Sequence, residues 1–243
     1  MNKLVTKVLI FAFAISMLGT INSYAQNNIW TTNKGKEIKK IYHIFEAIKR
    51  HKDTETIKKM IDDTDPANLN ISDFNSYTLI HIALGSNNKE ILKYLMEKGA
   101  NPNTFNNLNN APIHTAIYAR NLEMVKVLIE NGADINLKDK KPNIRHTPLT
   151  LAIDSYQYAK YSSTAERRKQ LRKASTDIAK YLVDAGADLG IENAQGYTPF
   201  QLASHTSQKE LAKYIATNDK YIATKTRWGN EILNDIYHFV ENW

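Results

Sequence analysis

The chain has 243 residues, 42% of them hydrophobic and 23% charged, with a formal net charge of +7, enough for one domain or one repeat array and too apolar for disorder. It contains no cysteine, which excludes disulfides, thiolate metal sites, cysteine nucleophiles and a lipid-bearing N-terminal cysteine. The positive excess reads as mild and spread along the chain, so nucleic acid is not an expected partner.

Lys3 and Lys7 precede an apolar run, Val8 to Leu18, and Ser23 and Ala25 put small residues three before and directly before a cleavage point. This is the three-part layout of a secretory signal peptide, residues 1–25. As a helix the run spans about 16 Å, against a hydrocarbon thickness of about 30 Å, so a permanent anchor is not expected. Cleavage after Ala25 removes two lysines, leaving a formal charge of +5. A periplasmic or secreted location is the expectation, with residues 26–37 as a flexible mature N-terminus.

Ile38, Ile41, Phe45 and Ile48 share one helical face, and Ile57, Met60 and Ile61 another, so residues 38–71 read as a helix pair. From Tyr77 the sequence repeats: His81 aligns with His114, Ala83 with Ala116, Leu95 with Leu128 and Gly99 with Gly132, each 33 residues apart. The pattern returns from His146 and again from Tyr197. Thr147 to Thr198 is 51 residues and Gly132 to Gly186 is 54, so the third copy carries three extra residues around Lys140 to Arg145 and eighteen after Asp154. The copies run 72–103, 104–136, 137–189 with the insertion near 155–174, and 190–217. Apolar pairs such as Ile91/Leu95 and Val125/Leu128 mark a buried helical face in each. Beyond them Ile232, Ile236, Phe239 and Trp243 give residues 218–243 as a C-terminal capping helix.

A 33-residue period that opens on a TPLH-like tetrapeptide, carries a central alanine and closes on GAN or GAD resembles the ankyrin repeat. The resemblance covers residues 38–217. It implies an all-α solenoid of helix-turn-helix units with short β-turn fingers, capped at both ends, with 38–71 as the degenerate N-terminal capping repeat. It also implies that His81 and His114 are buried and hydrogen bonded between repeats rather than ligating a metal. Finger tips and first-helix ends would line a partner-binding surface. On that surface fall Phe74, Asn75, Tyr77, Asn107, Leu108, Asn110, Tyr118, His146, Asp154, Ser155, Gln195, Tyr197 and His205.

The chemistry of catalysis is not in evidence: there is no HExxH, no GxSxG, no acidic calcium loop and no glycine-rich phosphate loop. No enzyme activity, metal or cofactor is expected. Tyr94, Tyr181 and Tyr214 share one position of the second helix and read as structural.

The insertion lies between the two helices of the third copy. Ser163 with Glu166 fits a capping box, and the simplest geometry is an overlong helix pair, each arm gaining about nine residues or roughly 13 Å. It would present Tyr156, Tyr158, Tyr161, Arg167, Arg168, Lys169, Arg172 and Lys173, of which Tyr156, Arg167, Arg168 and Arg172 join the partner-binding set. Tyrosine and arginine favour protein recognition. The expected function is a monomeric, non-enzymatic scaffold of the bacterial envelope that occludes or stabilises a protein partner, as an immunity protein, an inhibitor or an enzyme protector. The alternatives are an anionic-lipid or lipopolysaccharide binder acting through the basic insertion, and an exported effector acting on a host protein.

Overall fold

The computed structural model describes residues 33–218 except Phe74 and Pro142. The leader, the C-terminal tail with its tryptophans, and Phe74 lie outside the described residues. Within them four local devices recur from copy to copy of the repeat.

The first device closes the finger. Oδ1 of Asp73 accepts from Asn75 and Tyr77 backbone N–H groups (2.9 Å each), Asn106 does the same for Leu108 and Asn110, and Asn193 for Gln195 and Tyr197. The residue before each closing position turns through positive φ: Ser76, Asn109 and Gly196. In the third finger the closing residue, His146, lies seven after Asp139 instead of four, because of the extra residues around Lys140 to Arg145. The backbone bond from Asp139 N–H to the His146 carbonyl survives at 2.9 Å, and Oδ1 keeps only the Lys141 N–H, at 3.3 Å.

The second device starts the first helix. Thr147 Oγ1 accepts from Thr150 N–H at 3.2 Å, and Thr198 and Gln201 form a reciprocal capping box, Gln201 Oε1 accepting from Thr198 N–H at 2.9 Å. In the first copy His81 Nδ1 takes that place, 3.2 Å from Thr78 N–H, and its Nε2 faces the Asn110 carbonyl at 3.4 Å. The third device is the turn between helices. Asn88, Asn121 and Gln208 N–H groups donate to the carbonyls of Ala83, Ala116 and Ala203, which requires positive φ at Asn87, Arg120 and Ser207. The fourth ends the second helix: Ala100, Ala133 and Ala187 N–H groups donate to Leu95, Leu128 and Leu182 carbonyls across Gly99, Gly132 and Gly186, all at φ near +90°. A Cβ on Gly99 or Gly132 would meet nothing within 4 Å, so conformation rather than space demands glycine there.

Ten α-helices and no β-strand result among the described residues: α1 (Asn33–Lys49), α2 (Thr54–Asp62), α3 (Leu79–Gly85), α4 (Lys89–Glu97), α5 (Pro112–Tyr118), α6 (Leu122–Glu130), α7 (Pro148–Tyr158), α8 (Ala165–Asp184), α9 (Pro199–His205) and α10 (Lys209–Ala216). Helix α1 takes in residues 33–37, which composition had assigned to a flexible lead. The chain divides into two compact units, one reaching to Pro112 with Val127–Ala133, the other Ile113–Lys126 with the residues from Asp134 on. In the first, α1 packs on α2 and α3, and α2 on α4, burying Ile41, Ile44, Ile48, Ile57, Ile61, Leu79 and Leu95. In the second, α7 packs on α8 and α9, and α10 on α9 and α8, around Leu149, Leu151, Ile153, Ile178, Leu182, Leu211 and Ile215.

Second helices are also tied along their outer faces. Tyr94 donates to Asp62 (2.7 Å) beneath Lys58 and Lys98. Tyr214 donates to Asp184 (2.5 Å) with Lys180 over its ring. This gives Tyr94 and Tyr214 their inter-repeat bonds, while Tyr181 lies under Lys126.

The insertion is not a pair of equally lengthened arms. First helices elsewhere in the repeats have 7 residues and α7 has 11, followed by a 3-10 turn, Ala159–Tyr161. Second helices have 8 or 9 and α8 has 20, about 30 Å at 1.5 Å per residue. The first arm ends in that turn, whereas α8 runs unbroken from a cap that is Thr164 rather than Ser163, its hydroxyl accepting from Arg167 N–H at 3.1 Å.

Burial holds the His81 and His114 imidazoles at a pKa of about 4, against an ordinary value of 6.5. They are neutral in the folded protein, and the unfolded chain binds more protons between those two values. Stability should therefore be flat above pH 7 and fall as pH drops from 6.5 to 4, by about 3 kcal/mol per histidine. Gln201 fills the equivalent cap with an unchargeable amide, so His81→Gln with His114→Gln should remove most of that acid loss while leaving stability at pH 7.5 nearly intact. Urea denaturation at pH 7.5, 5.5 and 4.5 measures it, and an unchanged acid loss in the double variant would assign it to other groups.

Candidate functional site

In the first unit the expected surface residues form a short polar ladder. Asn107 N–H donates to the Asn75 carbonyl at 3.0 Å, and Asn107 Nδ2 to Asn75 Oδ1 at 3.2 Å. Leu108 stands out at the finger tip, 57% exposed. Tyr77 is half-buried with its ring edge against His81, centroids 5.5 Å apart, so part of it belongs to the packing. Asn110 is buried and not a surface residue: its N–H is held by Asn106 Oδ1 and its carbonyl faces His81 Nε2.

The second unit gathers more. The Lys141 ammonium lies 4.5 Å from the centre of the Tyr118 ring and donates to the phenol oxygen at 2.6 Å. Asp154, on α7, approaches His146 Nε2 at 3.5 Å, one turn before Tyr158. Tyr158 titrates above its ordinary range, first because of the Asp154 carboxylate and then through partial burial, with Tyr118 and Tyr161 close enough to add to the shift. Tyr118, Tyr158 and Tyr161 are 38%, 52% and 75% exposed, three of the five large hydrophobic side chains left exposed among the described residues. Tyr197, just before α9, stacks on the exposed His205 at the end of that helix with centroids 5.1 Å apart, and Gln195 reaches the Asn143 carbonyl at 3.1 Å.

The arms of the insertion hold each other. The Arg172 guanidinium lies 4.9 Å from the Tyr156 ring centre, Arg168 donates to the Ser162 carbonyl at 2.9 Å, and Arg167 reaches Gln170 at 3.4 Å. Tyr156 and Arg172 therefore spend much of their surface on one another, whereas Arg167 stays exposed. At the base Arg120 bridges both helices, donating to the Ser155 carbonyl at 2.8 Å and to Ser175 Oγ at 3.3 Å. Burial lowers its pKa, and the Arg167 charge lowers it further.

Two other expected surface residues are buried. Ser155 sits under Arg120 between α7 and α8, and His146 is folded inward by the longer finger, against Asp154. Charge also needs a correction: Tyr156 to Ser175 holds six basic residues and one acidic, so the excess that reads as spread is concentrated there. Lys141 and Arg120 were missed as contributors. The extra residues of the third finger hinted at the first. An arginine in the turn position that holds Asn87 and Ser207 hinted at the second, since positive φ favours asparagine or glycine.

Among the described residues no group of three or more His, Asp or Glu could hold a metal, and no helix is long and apolar enough to cross a membrane. The assembled edge offers phenol rings and cations, a surface suited to contact. A family model described as ankyrin repeats (3 copies) matches residues 44–139. The match stops where the first extra residues of the third copy begin. No curated protein matches the chain.

If Arg120 fastens the base of the insertion, Arg120→Ala should lower unfolding stability by about 2 kcal/mol, the range for a charged donor serving buried acceptors. Arg120→Lys, unable to serve both acceptors with one planar fork, should restore less than half. Urea denaturation followed by circular dichroism measures both; a loss under about 0.5 kcal/mol, the level of an ordinary surface change, would mean the arms hold themselves.

Proposed function

From the premise that the chain belongs to the ankyrin-repeat family, we propose that it is a non-enzymatic binding scaffold of the bacterial envelope, exported by its N-terminal leader and acting on a protein partner by occluding or stabilising it. Ankyrin repeats generally mediate protein–protein interaction. The single observation that carries the reading is the convergence of Tyr118, Tyr158 and Tyr161 on one edge of the second unit while the aliphatic side chains beneath them are buried. Exposed aromatic clusters are disfavoured on surfaces that meet only water, and tyrosine is enriched among residues that dominate interface energies, with losses of about 2 kcal/mol or more on truncation.

The mechanism is rigid presentation. Finger closure, helix caps and inter-helix turns leave the backbone of each copy satisfied, so little conformational entropy is lost when a partner docks. Arg120 extends that rigidity to the roots of α7 and α8.

The full-length protein, tagged and expressed in its own cells, should fractionate with the periplasm or medium and retain a protein in near-stoichiometric amount. The triple variant Tyr118→Ala, Tyr158→Ala, Tyr161→Ala should fold normally and retain at least about tenfold less. Equal retention by wild type and variant would remove the tyrosine edge from the reading, and a cytoplasmic location would remove the envelope from it.

A further inference from the structure

The segment Tyr156 to Ser175 carries a net of five positive charges out of +7 for the whole chain. Like charges crowded onto one helical arm repel one another and are normally offset by interspersed acids. Here the offset is nearly absent. Of its six basic residues, Lys173 alone has a carboxylate partner among the described residues, Asp177 at 2.6 Å. Arg168 and Arg172 are engaged by Ser162 and Tyr156, leaving Lys160, Arg167 and Lys169 exposed, Lys160 against the Tyr161 ring and Arg167 near enough to Arg120 to lower its pKa.

One of these cations, and one from the third finger, are already positioned against rings. Lys160 lies 5.1 Å from the Tyr161 ring centre, and Lys141, itself without a carboxylate partner among the described residues, lies 4.5 Å from that of Tyr118. A ring under an ammonium holds the charge in place without neutralising it, so the group remains able to take an anion. Asp154, the carboxylate of this edge, is directed to His146 and Tyr158.

Building on the protein-binding reading above, we propose that Tyr118, Tyr158 and Tyr161 with Lys141, Lys160 and Arg167 form a docking surface for an acidic segment of the partner protein. Apolar side chains of the segment lie on the rings and its carboxylates meet the three cations. A peptide alternating apolar and acidic side chains supplies both kinds of group. Charge of this kind accelerates encounter and weakens with salt, whereas the ring contacts govern release.

The test uses the full-length protein and a fluorescein-labelled peptide alternating glutamate with leucine, compared by anisotropy with the same peptide carrying glutamine. The glutamate peptide should bind at least about tenfold more tightly at low salt, and lose most of that advantage as salt rises. Lys160→Glu with Arg167→Glu should remove the preference. This variant should keep its fold, because Arg167 lies in the first turn of α8, where a carboxylate favours the helix dipole, and circular dichroism checks it. Tyr158→Ala with Tyr161→Ala should weaken both peptides. Equal affinity for the two peptides, or an undiminished preference in the charge-reversed variant, overturns the proposal. So does loss of binding to phosphatidylglycerol vesicles on charge reversal without any peptide preference, which would assign the cations to a lipid surface. A protein partner retained equally by the charge-reversed variant would sink this inference and leave the protein-binding reading standing.

Discussion

Each first helix in the array must begin beneath a finger, where its opening N–H groups are cut off from water, and the rest of the repeat depends on how that position is satisfied. In three of the copies the chemistry differs: the ring nitrogen of His81 and the amide oxygen of Gln201 accept from the N–H of the capping threonine three residues earlier, whereas the Thr147 hydroxyl accepts from Thr150 N–H. All must be neutral at working pH, since a charge there would be buried with no counterion. With the cap made, the finger closes over it, the central alanine receives the turn, and the second helix lies back on the first. The uniform geometry of the copies is thus a matter of polar bookkeeping at one buried site as much as of apolar packing.

The third copy keeps that start and abandons the turn. Where the other copies bend through positive φ at Asn87, Arg120 or Ser207, α7 runs on past Ala152 to Tyr158 and carries its rings beyond the level at which its neighbours stop. The helix that returns is the longer of the two, because its cap falls at Thr164 and nothing breaks it before Asp184. Rigidity at the root comes from another copy: Arg120, in the strained position of the preceding turn, reaches both arms. The turn between the helices of one repeat therefore holds the extension of the next.

Much of this was legible in the sequence, and for physical reasons. The period of 33, the capping threonines and prolines and the left-handed glycines are each dictated by backbone geometry that admits few residue types, so they can be read directly. The insertion's place could be read from register alone. A single helix from Thr164 to Val183 could be read as well, within a residue of the observed α8, but the unequal division between the arms could not, since the first arm passes into a 3-10 turn at Ala159 while the second runs unbroken. Burial of Asn110, His146 and Ser155 escaped sequence reasoning for a related reason: each is polar and falls near a surface position, and each is drawn inward by a specific partner, His81, Asp154 or Arg120. The Tyr118–Lys141 contact joins residues 23 apart through a finger of non-standard length, for which no repeat template supplies a register.

Helix extension, aromatic exposure and uncompensated charge coincide on one edge of the second unit. Hydrogen–deuterium exchange on the full-length protein, with and without saturating glutamate–leucine peptide, locates the contact without any substitution. The account predicts slowed exchange in the segments containing Tyr118, Lys141 and the stretch from Tyr158 to Arg168, with α2, α4 and α10 unchanged. Protection confined to those outer helices, or to the fingers of the first unit, would contradict it.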